Sequence, residues 1–250
     1  MRVRGPVAAA LTAALLAAGP WLTACSGSSS GSGPGSGSAG ASGSATALSA
    51  TELVAKARTT LDGTSSVHFV LTSADVPAGV SALLGGEGDA VRPDRFAGAL
   101  DVNVAGARAK VSVVSLGGKL YAKLPFSAKY EVTDPAAFHV PDPGAFMSPT
   151  TGVTQLLATA TDAASAGTSR AGGTVLQNVT AQLPGQVVGR ILVSADPSQP
   201  VKATFGIDPA TGQLLTATLV GPFFARSSVS TFTLALSRYG EPADIRVPTA

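Results

Sequence analysis

The hydrophobic rhythm changes several times along the chain, and each change predicts a different element. Val7 to Ala18 is a continuous uncharged apolar run. Ser26 to Ser44 has no apolar rhythm at all, with Gly or Ser at 16 of 19 positions. Helical spacing begins at Leu53, Val54, Ala57 and Leu61, behind the capping-box pattern Ser49-Ala50-Thr51-Glu52 and ahead of Gly63. This predicts a helix over 51–62.

From Val67 the period drops to two. Val67 to Thr72 alternates, and Leu100-Asp101-Val102-Asn103-Val104 is a one-faced strand. Ala105-Gly106 turns it into Lys110–Val113, and Gly117-Gly118 is a two-residue hairpin turn into Lys119–Leu124, with Leu120, Ala122 and Leu124 on one side. Gly85-Gly86-Glu87-Gly88 reads as a turn. Pro135, Pro141, Pro143 and Pro149 exclude regular strand across 135–149. Ser148-Pro149 is a helix start, and Val153, Leu156, Leu157 and Ala160 form an apolar stripe, so a second helix is expected over 149–163, with Gly167 and Gly172-Gly173 ending the segment. Strands resume at Val175–Leu183 and, after a short helix within 186–193, at Val201–Ile207, Leu215–Leu219 and Ser230–Arg238. The order predicts an α+β chain with a large antiparallel sheet. A few short helices are thin cover for eight or more strands. The apolar face must therefore curl on itself, pack in the ordinary way, or be filled by a ligand.

Composition sharpens this picture. Aromatic residues are only 5% of the chain, and its one Trp is Trp21, so the face is built mainly of Ala, Val and Leu. All 15 acids lie at or after Glu52, whereas two of the 17 bases are Arg2 and Arg4. Without those two the net charge is zero, which gives no electrostatic reason to bind nucleic acid or to form a polybasic membrane patch.

Arg2 and Arg4, the apolar run and the break at Gly19-Pro20 read as an export signal over residues 1–24. Cys25, the only cysteine, follows Leu22-Thr23-Ala24 and excludes a disulfide within the chain. That tetrapeptide resembles a bacterial lipobox, making Cys25 the expected acylation site and 25–46 an acylated Cys with a flexible linker. Two acyl chains would suffice for stable anchoring. Residues 47–250 are the expected folded domain.

Catalytic and metal motifs are missing. His68 and His139 lack metal-ligand spacing to each other, and no nucleophile elbow, Walker loop or dinucleotide fingerprint occurs. Asp134, Asp142, Asp196 and Asp208 adjoin prolines, as turn chemistry explains. No catalytic residue, metal or cofactor is expected, and the chain is not read as an enzyme.

Several segments together carry a family resemblance: Leu22–Cys25, Val67–Leu71, Gly118–Leu124, Asp142–Val153 and Ser237–Pro242. With them the chain resembles the LppX/LprAFG lipoprotein family of mycobacteria and other actinomycetes, nearest its LprG-like members. The resemblance implies a strongly curved antiparallel sheet, an incomplete barrel like the periplasmic lipoprotein carriers, with helices on the concave side enclosing a hydrophobic cavity. It implies a lipid-anchored protein on the extracytoplasmic side of the plasma membrane. Such a protein binds acylated lipids or glycolipids and carries them toward the outer envelope, with an envelope transporter as a candidate partner. It would act as a monomer. Combined with the strand pattern, the resemblance assigns the cavity wall to Phe69, Leu71, Leu100, Val102, Val104, Val111, Val113, Leu120, Phe205, Phe232 and Leu234, opposed by Leu156 and Leu157. The competing expectation is a noncatalytic envelope scaffold or adhesion lipoprotein with a packed core. The resemblance does not extend to a headgroup, because no sugar-binding set of aromatics is present.

Overall fold

The computed structural model describes residues 48–104, 106–135 and 141–248. The export signal, Cys25, the Gly/Ser stretch and His139 lie outside these residues, as does the side chain of Val104.

Helix α1 (Ala50–Asp62) begins as the pattern requires. The Ser49 hydroxyl accepts from the Glu52 amide at 3.3 Å, and the Glu52 carboxylate accepts from the Ser49 amide at 2.8 Å. These bonds satisfy two otherwise orphaned donors. Leu53, Val54, Ala57 and Leu61 are all buried. At roughly 1.5–3 kcal/mol for each fully buried large aliphatic chain, this face rather than helix propensity holds α1 in place.

The strands are β1 (Ser66–Ala74), β2 (Ala82–Val91), β3 (Arg95–Val104), β4 (Ala107–Leu116), β5 (Lys119–Lys123), β6 (Glu131–Thr133), β7 (Thr161–Ala171), β8 (Thr174–Leu183), β9 (Val201–Ile207), β10 (Leu214–Ala225) and β11 (Ser228–Ser237). They form one antiparallel sheet in the order β6-β5-β4-β3-β2-β1-β11-β10-β9-β8-β7. Its edges are β6 and β7, so the sheet is not closed. Between β6 and β7 lie a 3-10 helix (Pro143–Met147) and helix α2 (Thr154–Ala158); α3 (Gly185–Val188) follows β8. The Gly117-Gly118 turn joins Leu116 and Lys119 as a paired hairpin, and both glycines take positive φ, as that turn demands.

Three expectations are corrected. Gly85-Gly86-Glu87-Gly88 is not a turn but the centre of β2. A Cβ on Gly88 would fall 2.7 Å from the Cα of Gly98 across the ladder, and one on Gly98 would fall 3.1 Å from Gly88. Glycine there lets β2 and β3 approach closely on the inner side of the curl. The second helix does not run over 149–163. The Ser148 hydroxyl does accept from the Thr150 and Thr151 amides, each at 3.3 Å, but the chain then doubles back through Val153 N–H to the Phe146 carbonyl at 2.8 Å. Only Thr154–Ala158 is α-helical. The segment from Thr161 onward is β7, a polar and almost wholly exposed edge strand held by its ladder to β8. With only Ala163 and Ala171 part-buried it carries no period-two signal, and its polarity suits an edge that must not recruit other strands.

Candidate functional site

The ladder registers place the expected wall residues on one face, since directly paired residues point the same way. Phe69 and Leu71 of β1 oppose Gly88 and Gly86 of β2, which oppose Gly98 and Leu100 of β3, which oppose Val113 and Val111 of β4. Val102 lies two residues beyond Leu100 on the same face, and Leu120 pairs with Ser115 one step along it. In the other direction Leu71 opposes Leu234, and Ser73 opposes Phe232. Leu234 then faces Ala217, and Ala217 faces Phe205.

Burial divides this face in two. Over β8–β11 it is sealed: Phe205, Phe232, Ala217, Ala203 and Val179 are at most 1% exposed, and Leu234 is 7% exposed. Leu156 and Leu157 of α2 join the same cluster, with α1 packed on β7, β9 and α2. Phe223 stacks edge-on against Phe232 at a centroid distance of 4.9 Å. The lower part of β1–β5 is sealed as well. The 3-10 helix packs on β2, β3 and β4 and brings Phe146 to 5.0 Å from Phe69, which lies 5.3 Å from Phe96. Val113 and Leu120 are buried there.

The upper part of the same strands lacks such a cover. Leu71, Leu83, Leu100 and Val111 reach the core only at its margin and stay partly exposed, as does Val102. At this end an open groove of about 610 Å³ is lined by Leu71–Val76, Leu84, Gly85, Asp101, Val102 and Arg108–Lys110; its paired row Gly85, Asp101 and Lys110 faces away from Leu100 and Val111, so the groove opens mainly on the outer side of the sheet. Lys110 lies 3.7 Å from Glu87 and 3.9 Å from Asp101 on the outer face. Of the expected wall residues, Leu71 and Val102 line this groove; Phe69, Val113, Leu120, Leu156, Leu157, Phe205, Phe232 and Leu234 are consumed by packing. Leu83 and Leu84 were not anticipated, because a run of glycines disguised β2. The Leu83-Leu84 pair before them was the available signal.

His68 points away from the core, as its alternation requires. Its Nδ1 lies 2.9 Å from Asp89, which also receives Arg238 at 2.9 Å, while Arg238 touches the His68 ring. The nearby Ser66 hydroxyl donates to the Glu241 carbonyl at 2.6 Å, so it is not aligned with His68 as a nucleophile. Among the described residues no cluster could hold a metal ion, and no helix is long and apolar enough to cross a membrane. Burial raises the pKa of the Tyr239 phenol, whose hydroxyl donates to the Leu214 carbonyl and ties the chain end to β10.

An open, curled antiparallel sheet with one apolar face partly capped by short helices is the architecture of a family of bacterial lipoproteins. Residues 49–245 match the profile of the LppX_LprAFG lipoprotein family, and the chain belongs to that family. Among solved structures it is similar to LprF from Mycobacterium bovis, with a TM-score of 0.69 at 16% identity over 80% of this chain and 97% of that one. It is also similar to the lipoprotein LppX from Mycobacterium tuberculosis, with a TM-score of 0.57 at 17% identity over 79% of this chain and 98% of that one. A search of curated protein sequences finds no match.

Proposed function

We propose that this chain is a noncatalytic lipid-binding lipoprotein, anchored through acylated Cys25 on the extracytoplasmic face of the plasma membrane, that carries acylated lipids or glycolipids toward the outer envelope. The observation that carries this reading is the uncovered apolar strip of Leu71, Leu83, Leu100, Val102 and Val111 on the concave face. Leu71 and Val102, at the open end of the strip, would meet the first methylenes of an acyl chain. Leu100 and Val111 would guide the chain inward, toward the packed phenylalanines. The family membership supports a lipid ligand. The domain acts as a monomer, with an envelope transporter as the candidate recipient.

The packed half of the face favours the scaffold reading, and lipid content separates the two. Native mass spectrometry and lipid extraction of protein purified from its host should find a co-purifying acylated lipid. Leu100→Trp is the sharper form of this test. The Leu100 side chain lies over Gly86, where an added Cβ would come within 2.8 Å of it. In a packed core such overfilling typically costs about 1–3 kcal/mol. Here the indole has open strip to occupy, so stability should stay near the parent's while bound lipid is lost. A large loss of stability with unchanged lipid content would make Leu100 ordinary core and favour the scaffold.

A further inference from the structure

The zero net charge of residues 47–250 conceals a segregated stretch. From Val102 to Tyr130 there are five bases (Arg108, Lys110, Lys119, Lys123 and Lys129) and no Asp or Glu. This stretch contains the connection 124–130 between β5 and β6, Leu-Pro-Phe-Ser-Ala-Lys-Tyr. The last ladder pair of β4 and β5 at this end is Ser112–Lys123, so the connection leaves the sheet level with Val111, at the uncovered end of the strip.

At its tip Phe126 is fully exposed, and its φ of 72° is left-handed, a conformation a bulky L-residue avoids unless something holds it there. The Ser127 amide donates to the Leu124 carbonyl at 3.1 Å and the Ser127 hydroxyl to the Lys129 carbonyl at 2.8 Å. The turn is thus internally bonded and presents the ring outward. Leu124 beside it is 53% exposed. Scattered single exposed hydrophobic residues need no explanation. A strained exposed aromatic at a bonded loop tip, next to Leu124 and flanked by Lys123 and Lys129, has the chemistry of an interfacial anchor: apolar tip, cationic shoulders, and Tyr130 behind them at headgroup height.

We infer that loop 124–130 docks on an anionic lipid bilayer. Phe126 and Leu124 enter the acyl boundary, and Lys123 and Lys129 sit among the headgroup phosphates. The same contact sets the uncovered strip against the membrane, where lipid would enter or leave. Placing a bilayer beside this end rests on the lipid-binding reading above, but the docking is read out separately from lipid content.

Trp21 is the only native tryptophan, so Trp21→Phe in the full chain gives a silent background. In it, Phe126→Trp should shift its emission to the blue and lose more than half of its intensity on vesicles of equal parts phosphatidylcholine and phosphatidylglycerol bearing brominated acyl chains. Val175→Trp, at the opposite end of the sheet, should do neither. Adding Lys123→Glu and Lys129→Glu to Phe126→Trp should restore most of the intensity. Phe126→Trp protein loaded with brominated lipid and moved to unbrominated vesicles should remain unquenched. Docking is overturned if the Phe126→Trp variant is not quenched on brominated vesicles, if the Val175→Trp variant is quenched equally, or if quenching follows the loaded lipid. Quenching of the Phe126→Trp variant in a protein from which no lipid can ever be extracted would uphold docking and sink the carrier reading instead.

Discussion

The two halves of the concave face are built from the same residue types and end in opposite states. Over β9–β11, Phe205, Ala217, Phe232 and Leu234 are sealed beneath α1 and α2; over the upper β2–β4, Leu83, Leu100, Val102 and Val111 are left half-covered. Hydrophobicity does not separate them. The difference lies in cover: α1 is long enough to lie across β7 and β9, whereas the 3-10 helix is short and reaches only the end of the sheet near Phe69 and Phe96.

The comparison breaks first at its buried end. Phe205→Ala should cost about 3–5 kcal/mol in urea unfolding, as deletion of a fully buried phenyl does, whereas Val102→Ala should cost under about 1 kcal/mol. Equal costs would mean the two halves are not energetically distinct. A smaller effect is expected where they are joined. Gly98→Val places a branched side chain against Gly88 and should destabilise by about 1–3 kcal/mol, and the purified variant should bind less lipid because the curl between β2 and β3 relaxes. Retained stability would show that the close approach of these strands is not what shapes the face.

The smallest effect concerns the lid of the sealed half. Ser49→Ala removes the α1 cap and should cost about 0.5–2 kcal/mol. The Ser49 hydroxyl, and then its amide, hold the Glu52 carboxyl below the usual carboxylate range. A depressed folded pKa stabilises above the unfolded value, about 4.3, and that contribution disappears as pH falls through the folded value. The acid-side loss of stability below about pH 4.3 should therefore be shallower in Ser49→Ala than in the parent. Parallel pH profiles would show that Glu52 is not coupled to the helix.

Much of the fold was legible because its signals are local. The Ser49–Glu52 box, the alternation through Val67–Leu71 and Leu100–Val102, and the Gly117-Gly118 turn each specify their element within a few residues, and all appear where expected. The short strand β6 and the 3-10 helix were not predicted, and β2 and β7 were illegible for opposite reasons. β2 hides behind glycines that only a neighbouring strand makes necessary. β7 is exposed along most of its length, touching the core through Ala163, and exists because β8 offers its hydrogen bonds. The apparent helix over 149–163 failed because Ser148-Pro149 starts a turn as readily as a helix, and the Phe146 carbonyl captures Val153.

The sequence by itself determined which side chains share a face, because a period of two leaves a strand residue no choice of side once its neighbour is buried. It could not determine which part of that face stays open. Whether Leu100 is wall or core depends on how far the 3-10 helix and α1 reach across a curled sheet, and that reach is set by contacts between residues far apart in the chain. Likewise the sequence shows an acid-free run of bases from Arg108 to Lys129 but not where it lies in the fold. The β4–β5 ladder, ending at Ser112–Lys123, sets Lys123 and the connection after it at the uncovered end of the strip, because antiparallel pairing brings the start of one strand to the end of the next.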